Sequence, residues 1–410
     1  MRDWLHRHKR QFRFLKPAWR AWRRLARTIP PVSWLGASQP GRPGGIHYTV
    51  DDYLAAHPKA GNIKIILPAQ NFTRPLPRTL EDLPPHPVFA ALTEARVPAQ
   101  RTFELFGARY WGHYGGTLIG QDNRLLAEIS PDIWSMEGHS ALARWRFPAC
   151  RRLNGTVAVI STGECDNNYW HWTFDLLPRV WYLQQAGFTA ANVDWWVVNH
   201  RDHPYQWQTL ERLGIARDKV IRADDQLHFT ADRVVTATMP PTAAPVLPQV
   251  ARWLREDFGK VTALPRRRFY LTRKNCTWRR LLNEAEIEPM LREHGFEFIE
   301  PGSLDLAGQM ALFAEAQIIA GPHGSAFTNA IYASPSATLL EIMPTSYVDG
   351  DFWSQAMASG QSHFVEFGPG ASGLDYTAIC RQDDLRVDPA RFARILEIVA
   401  KQTASSSPGN

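Results

Sequence analysis

The sequence predicts an α/β protein made of two Rossmann-like domains facing a cleft, with a basic tail at one end. Three observations carry that expectation. From about residue 155, short apolar strand-like runs alternate with helix-like runs, the pattern that builds parallel sheets. The alternation comes in two sets, separated by the linker "PPTAAPVLP". The second set holds a turn of small residues, "AGPHGSAF", between an apolar strand and a helix-like run, the place where open α/β sheets bind ligands. With 410 residues and 44% hydrophobic content, two cores can form without disulfides or a structural metal.

The first 30 residues hold ten Lys or Arg and one acid, whereas the rest of the chain has 36 basic and 39 acidic residues. The formal net charge of +6 therefore resides at one end. Within that end Phe12, Leu15, Trp19, Trp22 and Ala26 recur at steps of three or four, which gives an aromatic helical face among cations. Residues 1–30 are thus expected to lie on an anionic membrane surface; a protein-docked or solvated tail is the alternative. The near-neutral body argues against nucleic acid as a partner. No apolar run reaches the length of a membrane span and no signal-peptide core is visible, so the expected location is cytoplasmic, peripheral on the inner face of the membrane.

Residues 1–44 read as tail and linker, and Pro- and Gly-rich stretches up to about 100 read as linker plus irregular structure. Residues 45–240 form the expected first domain, with short strands over 101–150 and the Rossmann-like pattern from 155. There "GTVAVIS", "VDWWVVN" and "RVVTATM" read as strands, with "NNYWHWTFDLLPRVWYLQQAG" and "PYQWQTLERLG" as helices. Residues 241–410 form the expected second domain. Its strands are "RRRFYLTR", "FEFIE", "QIIAG" and "ATLLEIM", and its helices "NEAEIEPMLREHG", "DLAGQMALFAEA" and "DPARFARILEIVAKQ".

The turn in the second set is the first candidate site. Gly321, Gly324 and Ser325 let backbone N–H groups approach an anion, and a helix beginning near Ala326 and carrying Asn329 offers its unpaired donors. His323 adds a donor, and Glu341 ends the next strand, positioned for ribose hydroxyls. Arg273 ends a strand, while Arg279 and Arg280 precede a helix; guanidinium groups there suit a diphosphate clamp, or else pair with Glu284 and Glu286. In the first set His171 and Asp175 lie four residues apart on one helical face, with Asn168 a turn before and Arg179 a turn after. Asp175 is the expected base that takes a proton from the acceptor hydroxyl, with His171 aligning the acceptor or sharing that work, unless Asp175 is spent on Arg179. Trp170 and Trp172 beside it are candidate sugar-stacking residues.

Together "NYWHWTFDLLPRV", "FYLTRKNCTWRRLLNEAEI" and "QMALFAEAQIIAGPHGSAFTNAIYASPSATLLEIMP" resemble glycosyltransferase family 61 in order and spacing. The family includes bacterial capsular polysaccharide biosynthesis proteins, plant xylosyl- and arabinosyltransferases and animal protein-linked N-acetylglucosaminyltransferases. The resemblance implies a GT-B fold, a nucleotide-sugar donor, UDP-linked, bound by the second domain, and inversion at the anomeric carbon. It makes Arg273, His323, Gly324 and Ser325 donor contacts and puts His171 and Asp175 in the acceptor cleft. Many relatives read Gly-Ala-His-Gly-Ala at the turn; Pro322 and Ser325 depart from that here.

No cofactor and no metal is expected beyond the donor itself. Asp349 and Asp351 form an Asp-x-Asp pair, the metal-binding spacing of the other major glycosyltransferase fold, but they follow the donor motif and read as an acidic loop. The four cysteines are scattered, with no zinc spacing, and read as buried thiols. The expected function is transfer of a sugar to a glycan or glycolipid in capsular or other surface polysaccharide synthesis. Two rivals stand beside it: a nucleotide-dependent oxidoreductase, which wants a Gly-x-Gly-x-x-Gly turn that neither set has, and a non-catalytic assembly factor.

Overall fold

A computed structural model describes residues 41–80, 86–132, 138–144, 146–239, 245–260, 262–373 and 380–405. The basic tail and its expected amphipathic helix lie outside the described residues. So does most of the linker between the two sets. Among the described residues no helix is long and apolar enough to cross a membrane. The chain divides into two compact units, one from the segments up to Pro68, Ala99–Asp202 and Gly214–Met239, the other from Ala69–Pro98, His203–Leu213 and Pro240 onward.

In the first unit, the described residues build a ten-stranded mixed sheet. Its centre is parallel: His228–Ala237, Arg151–Val159, Trp195–Val198 and Val220–Arg222 lie side by side. Central strands are covered on both faces, so they read as unbroken apolar runs, and Val157, Ala158, Trp196, Val197 and Val198 are fully buried. Short antiparallel strands extend the sheet through Gln100–Phe106 and Arg109–Trp111. The stretch read as irregular is more ordered than its Pro and Gly content suggests. It contains the strand Gly61–Leu67, paired antiparallel with Gln100–Phe106, and the helix Val50–Ala56 capped by Thr49. Pro and Gly there punctuate short elements rather than abolish them.

The second unit has a five-stranded, wholly parallel sheet. In chain order its strands are Arg267–Leu271, Phe296–Ile299, Ala316–Pro322, Thr338–Pro344 and Ser362–Gly368, and they lie in the sheet as 2-1-3-4-5. Helices cover both faces. Tyr270, Ile318 and Leu340 share a core with Ile287 and Leu291 of the helix Glu284–Glu293 and with Phe392 and Leu396 of the helix Pro389–Ser405. On the opposite face Phe269 meets Phe313 of the helix Leu306–Ala314. The helix Asp351–Ser359 and the edge strand after it had no counterpart in the sequence reading.

Two earlier segments complete this unit. The helix Pro204–Arg212 lies between strands of the first unit in sequence and reads there as part of the first set, but it packs here, where Arg212 donates to the carbonyls of Phe258 and Gly259. The hairpin Gln70–Thr73 with Glu94–Val97 leads into Pro75, whose carbonyl accepts the Trp353 indole N–H, and Arg74 lies 4.3 Å over the same ring. Arg78 then bonds along the exposed edge of Ser362–Gly368, which closes that edge to other strands.

Candidate active site

A 2-1-3-4-5 sheet changes winding direction between its first and third strands, and ligands bind beyond the carboxyl ends of those two strands. Arg273 follows the first strand and the Gly321–Ser325 turn ends the third. Their proximity follows from two missing side chains. A Cβ on Gly321, whose φ is 151°, would lie 2.7 Å from the Leu271 carbonyl oxygen, so glycine lets the strand ends close up. A Cβ on Gly324 would lie 2.0 Å from Arg273 Nη1, so this glycine leaves room for the guanidinium.

Arg273 is held from behind by the Trp278 carbonyl, at 2.8 Å from Nη2. Arg279, with φ at a left-handed 54°, donates through Nε to the His323 carbonyl at 3.0 Å and through Nη1 to the Arg381 carbonyl. Burial lowers the pKa of both guanidinium groups, and Arg273 adds to the lowering at Arg279. Neither has a carboxylate partner among the described residues. Asp384 and Asp349 act on Arg273 and Arg279 only at longer range, so two half-buried cations hydrogen-bonded to carbonyls make this corner of the unit electropositive.

His323 belongs to a buried relay. Its Nδ1 lies 2.5 Å from Glu341 Oε1, and His363 Nε2 lies 2.9 Å from Glu341 Oε2. His323 is 6% exposed and just reaches the surface, whereas Glu341 is fully buried. Burial raises the pKa of Glu341 and lowers that of His363 to about 3. Because the folded protein resists protonating His363 while the unfolded chain accepts a proton near 6.5, stability should decline as pH falls below about 6.5, by about 1.4 kcal/mol per pH unit from this group. Glu341 acts in the opposite sense, since its raised value favours proton uptake by the fold. Urea unfolding at stepped pH for wild type and His363→Gln separates the two, and the variant should lose the His363 part of the acid slope.

Several assigned residues stand elsewhere. Glu341 is committed to two histidines and has no exposed oxygen to offer a ribose. Arg280 forms an exposed pair with Asp384, with Nη2 at 2.6 Å, rather than joining the clamp. Asn329 is buried and donates to Gln309. The expected helix is a 3-10 helix, Ser325–Tyr332; Ser325 is exposed at its start and Ala326 is half-buried. Asp349 accepts from the Tyr347 hydroxyl and the Asp351 amide, so it braces the start of a helix instead of lying loose in solvent. His363 had no local signal: it pairs diagonally with Glu341 from the neighbouring strand, 22 residues on.

The second constellation lies in the first unit, after the carboxyl end of Arg151–Val159. Asn168 caps a helix through the Trp170 amide, and a π-helical turn at Trp172–Leu176 interrupts that helix at the pair of interest, as such turns often do at functional sites. His171 Nδ1 meets Asp175 Oδ2 at 2.7 Å, and His171 Nε2 is 3.6 Å from Glu164 Oε2. Glu164 was not expected. It sits at φ 65°, an uncommon value for a residue with a side chain. Burial raises the pKa of Asp175, against the lowering effect of His171.

Arg179 does not pair with Asp175. It is buried among the carbonyls of Ser161 and Val159, the Thr236 hydroxyl and the Met239 sulfur, with its pKa lowered to about 10 by burial. Trp172 is wholly buried and serves the core, and Trp170 is 7% exposed and packed on Phe174, so neither presents a free face to a sugar. Asn168 is occupied as a cap. Of the four thiols, Cys165 and Cys380 are buried as expected, but Cys150 is partly exposed and Cys276 exposed.

Residues 169–340 match the family model described as Glycosyltransferase 61. That span contains His171, Asp175, both clamp arginines and the whole turn. No curated protein matches the chain.

Proposed function

The chain belongs to glycosyltransferase family 61 through residues 169–340, and from that premise we propose an inverting transfer of a sugar from a nucleoside-diphosphate donor, UDP-linked, to a glycan or glycolipid acceptor. The observation that carries the donor assignment is the pair Arg273 and Arg279, cations without carboxylate partners among the described residues, beside Gly324 at the sheet's switch point. In this reading the diphosphate lies against both guanidinium groups and the first N–H groups of the 3-10 helix. His323 turns Nε2 to the diphosphate while Glu341 holds its Nδ1, and His363 fixes Glu341. This reading assigns the donor to the second unit and the acceptor to the first, the division of labour expected of a GT-B enzyme.

For transfer, the acceptor oxygen bonds to the anomeric carbon as the bond to the diphosphate oxygen breaks, and the diphosphate leaves with the electron pair. The acceptor proton goes to His171 Nε2, the ring nitrogen turned from Asp175. Asp175 holds Nδ1–H and stabilises the charged ring, and Glu164 lies beside the newly protonated nitrogen. The negative charge developing on the diphosphate is met by guanidinium groups. Transfer is therefore expected to survive EDTA; loss of turnover restored by Mn²⁺ would promote Asp349 and Asp351 to ligands.

The basic, aromatic composition of residues 1–30 supports attachment to an anionic membrane, and with it a glycan or glycolipid acceptor in capsular or other surface polysaccharide synthesis. Removing those residues should abolish sedimentation with anionic vesicles and leave nucleotide affinity unchanged. Equal sedimentation of both forms counts against the anchor. A hydrolysis screen over a panel of nucleotide sugars, with thermal shifts for UDP and NAD, tests the whole reading. Stabilisation by NAD and not by UDP would replace it with an oxidoreductase.

A further inference from the structure

Among the described residues, one group of His, Cys, Asp and Glu side chains brings three ligand atoms within 4.8 Å of one another: His47, His57 and Asp122. All three belong to the first unit and come from different elements. His47 ends the strand Gly45–His47, His57 caps the helix Val50–Ala56, and Asp122 lies in the turn between Thr117–Ile119 and Arg124–Leu126. Both imidazoles aim Nε2 at one oxygen, Asp122 Oδ2, at 2.7 Å from His47 and 3.3 Å from His57. The other oxygen, Oδ1, accepts the Arg124 amide at 3.2 Å. The backbone thus orients the carboxylate through one oxygen and leaves the second to the imidazoles, as outer contacts orient metal-bound carboxylates.

The surroundings hold that arrangement. The Tyr53 ring packs against both imidazoles, with centroids 5.4 Å from His47 and 5.2 Å from His57. Its hydroxyl accepts the Gln121 amide, which ties it to the Asp122 turn. A Cβ on Gly120 would lie 2.6 Å from the Tyr53 ring and 2.9 Å from Asp122 Oδ1, so glycine is needed for ring and carboxylate to sit together.

We propose that His47, His57 and Asp122 bind a Zn²⁺ ion that ties the segment 45–57 to the hairpin 117–126. Zinc bonds of about 2.0–2.2 Å set neighbouring tetrahedral ligand atoms about 3.3 Å apart, so small side-chain shifts complete the geometry. Two imidazoles and one carboxylate select a borderline ion over Ca²⁺ or Mg²⁺, which favour oxygen. On binding, each ring gives its Nε2 lone pair and carries its N–H on Nδ1, while water takes the fourth position. Arg124 Nε, 3.9 Å from Asp122 Oδ2, is the cation that zinc displaces, and its half-exposed side chain has solvent to move into. The site uses none of the groups assigned to transfer, so it stands or falls separately from that function.

Tag-free full-length protein, stripped with a chelator, is titrated with Zn²⁺ against a chromophoric competitor and then with Co²⁺. One tight ion per chain is expected, with the visible bands of tetrahedral Co²⁺ and a raised unfolding temperature. Affinity should fall at least tenfold in His57→Gln and in Asp122→Asn, both of which keep a polar group in place. No tight ion in the folded wild type overturns the proposal, as does wild-type affinity retained in both variants, which would point to histidines elsewhere. Should a variant fail to fold, the wild-type Co²⁺ spectrum decides: octahedral bands alone reject the site.

Discussion

Replacing His171 with Gln is expected to cut sugar transfer about 10²–10⁴-fold, the usual contribution of a positioned base, with nucleotide affinity nearly unchanged. The expectation follows from the bond between His171 Nδ1 and Asp175 Oδ2 at 2.7 Å. With Nδ1 bonded to Asp175, proton uptake from an acceptor falls to Nε2. Both side chains are partly exposed, His171 at 28% and Asp175 at 22%, so it is the bond between them, which engages Nδ1, that makes Nε2 the base in this reading. Asp175→Asn should therefore also be slow, because an amide in that place favours the wrong ring tautomer. Single-turnover transfer at saturating donor separates the roles. A near-native rate in His171→Gln moves the base to Asp175. Arg179 does not complicate the result, since its bonds run to carbonyls, a hydroxyl and a thioether and not to Asp175.

Replacing Arg273 with Ala is expected to weaken UDP binding by about 1.5–3 kcal/mol, the range for a hydrogen bond to a charged group. The guanidinium is already held against Gly324 by the Trp278 carbonyl, so little ordering opposes its contact with a phosphate. Arg279 persists in the variant and keeps some affinity, so the loss stops short of complete. Arg280→Ala is the matched control: that side chain is spent on Asp384 at the surface and its removal should leave UDP affinity intact. Calorimetry with UDP on the three folded proteins checks both. Unchanged affinity in Arg273→Ala rejects the clamp, and an equal loss in Arg280→Ala shows that general positive charge, not this geometry, was responsible.

Residue order alone determined the α/β class, most strands and helices of the two alternating sets, the candidate turn and the His171–Asp175 spacing. These are local properties: apolar periodicity, glycine at strand ends, and a four-residue step on a helix. Helix and strand periods are written into neighbouring residues, so they can be read without knowing what packs where. The strands near residues 61–67 and 362–368 escaped because each owes its pairing to a distant partner, Gln100–Phe106 in one case and Thr338–Pro344 in the other.

Which polar groups are free for chemistry was decided by tertiary structure. Glu341 looks like a ribose ligand in the sequence, yet two histidines consume it; Arg280 looks equivalent to Arg279, yet Asp384, 104 residues away, removes it from the clamp. Trp172 stands one residue from His171 but faces the core, while Glu164 comes to His171 from a preceding loop. A side chain's chemistry depends on burial and on its hydrogen-bond partner. Both are set by contacts between residues far apart in the chain, and the spacing of neighbours carries no record of them.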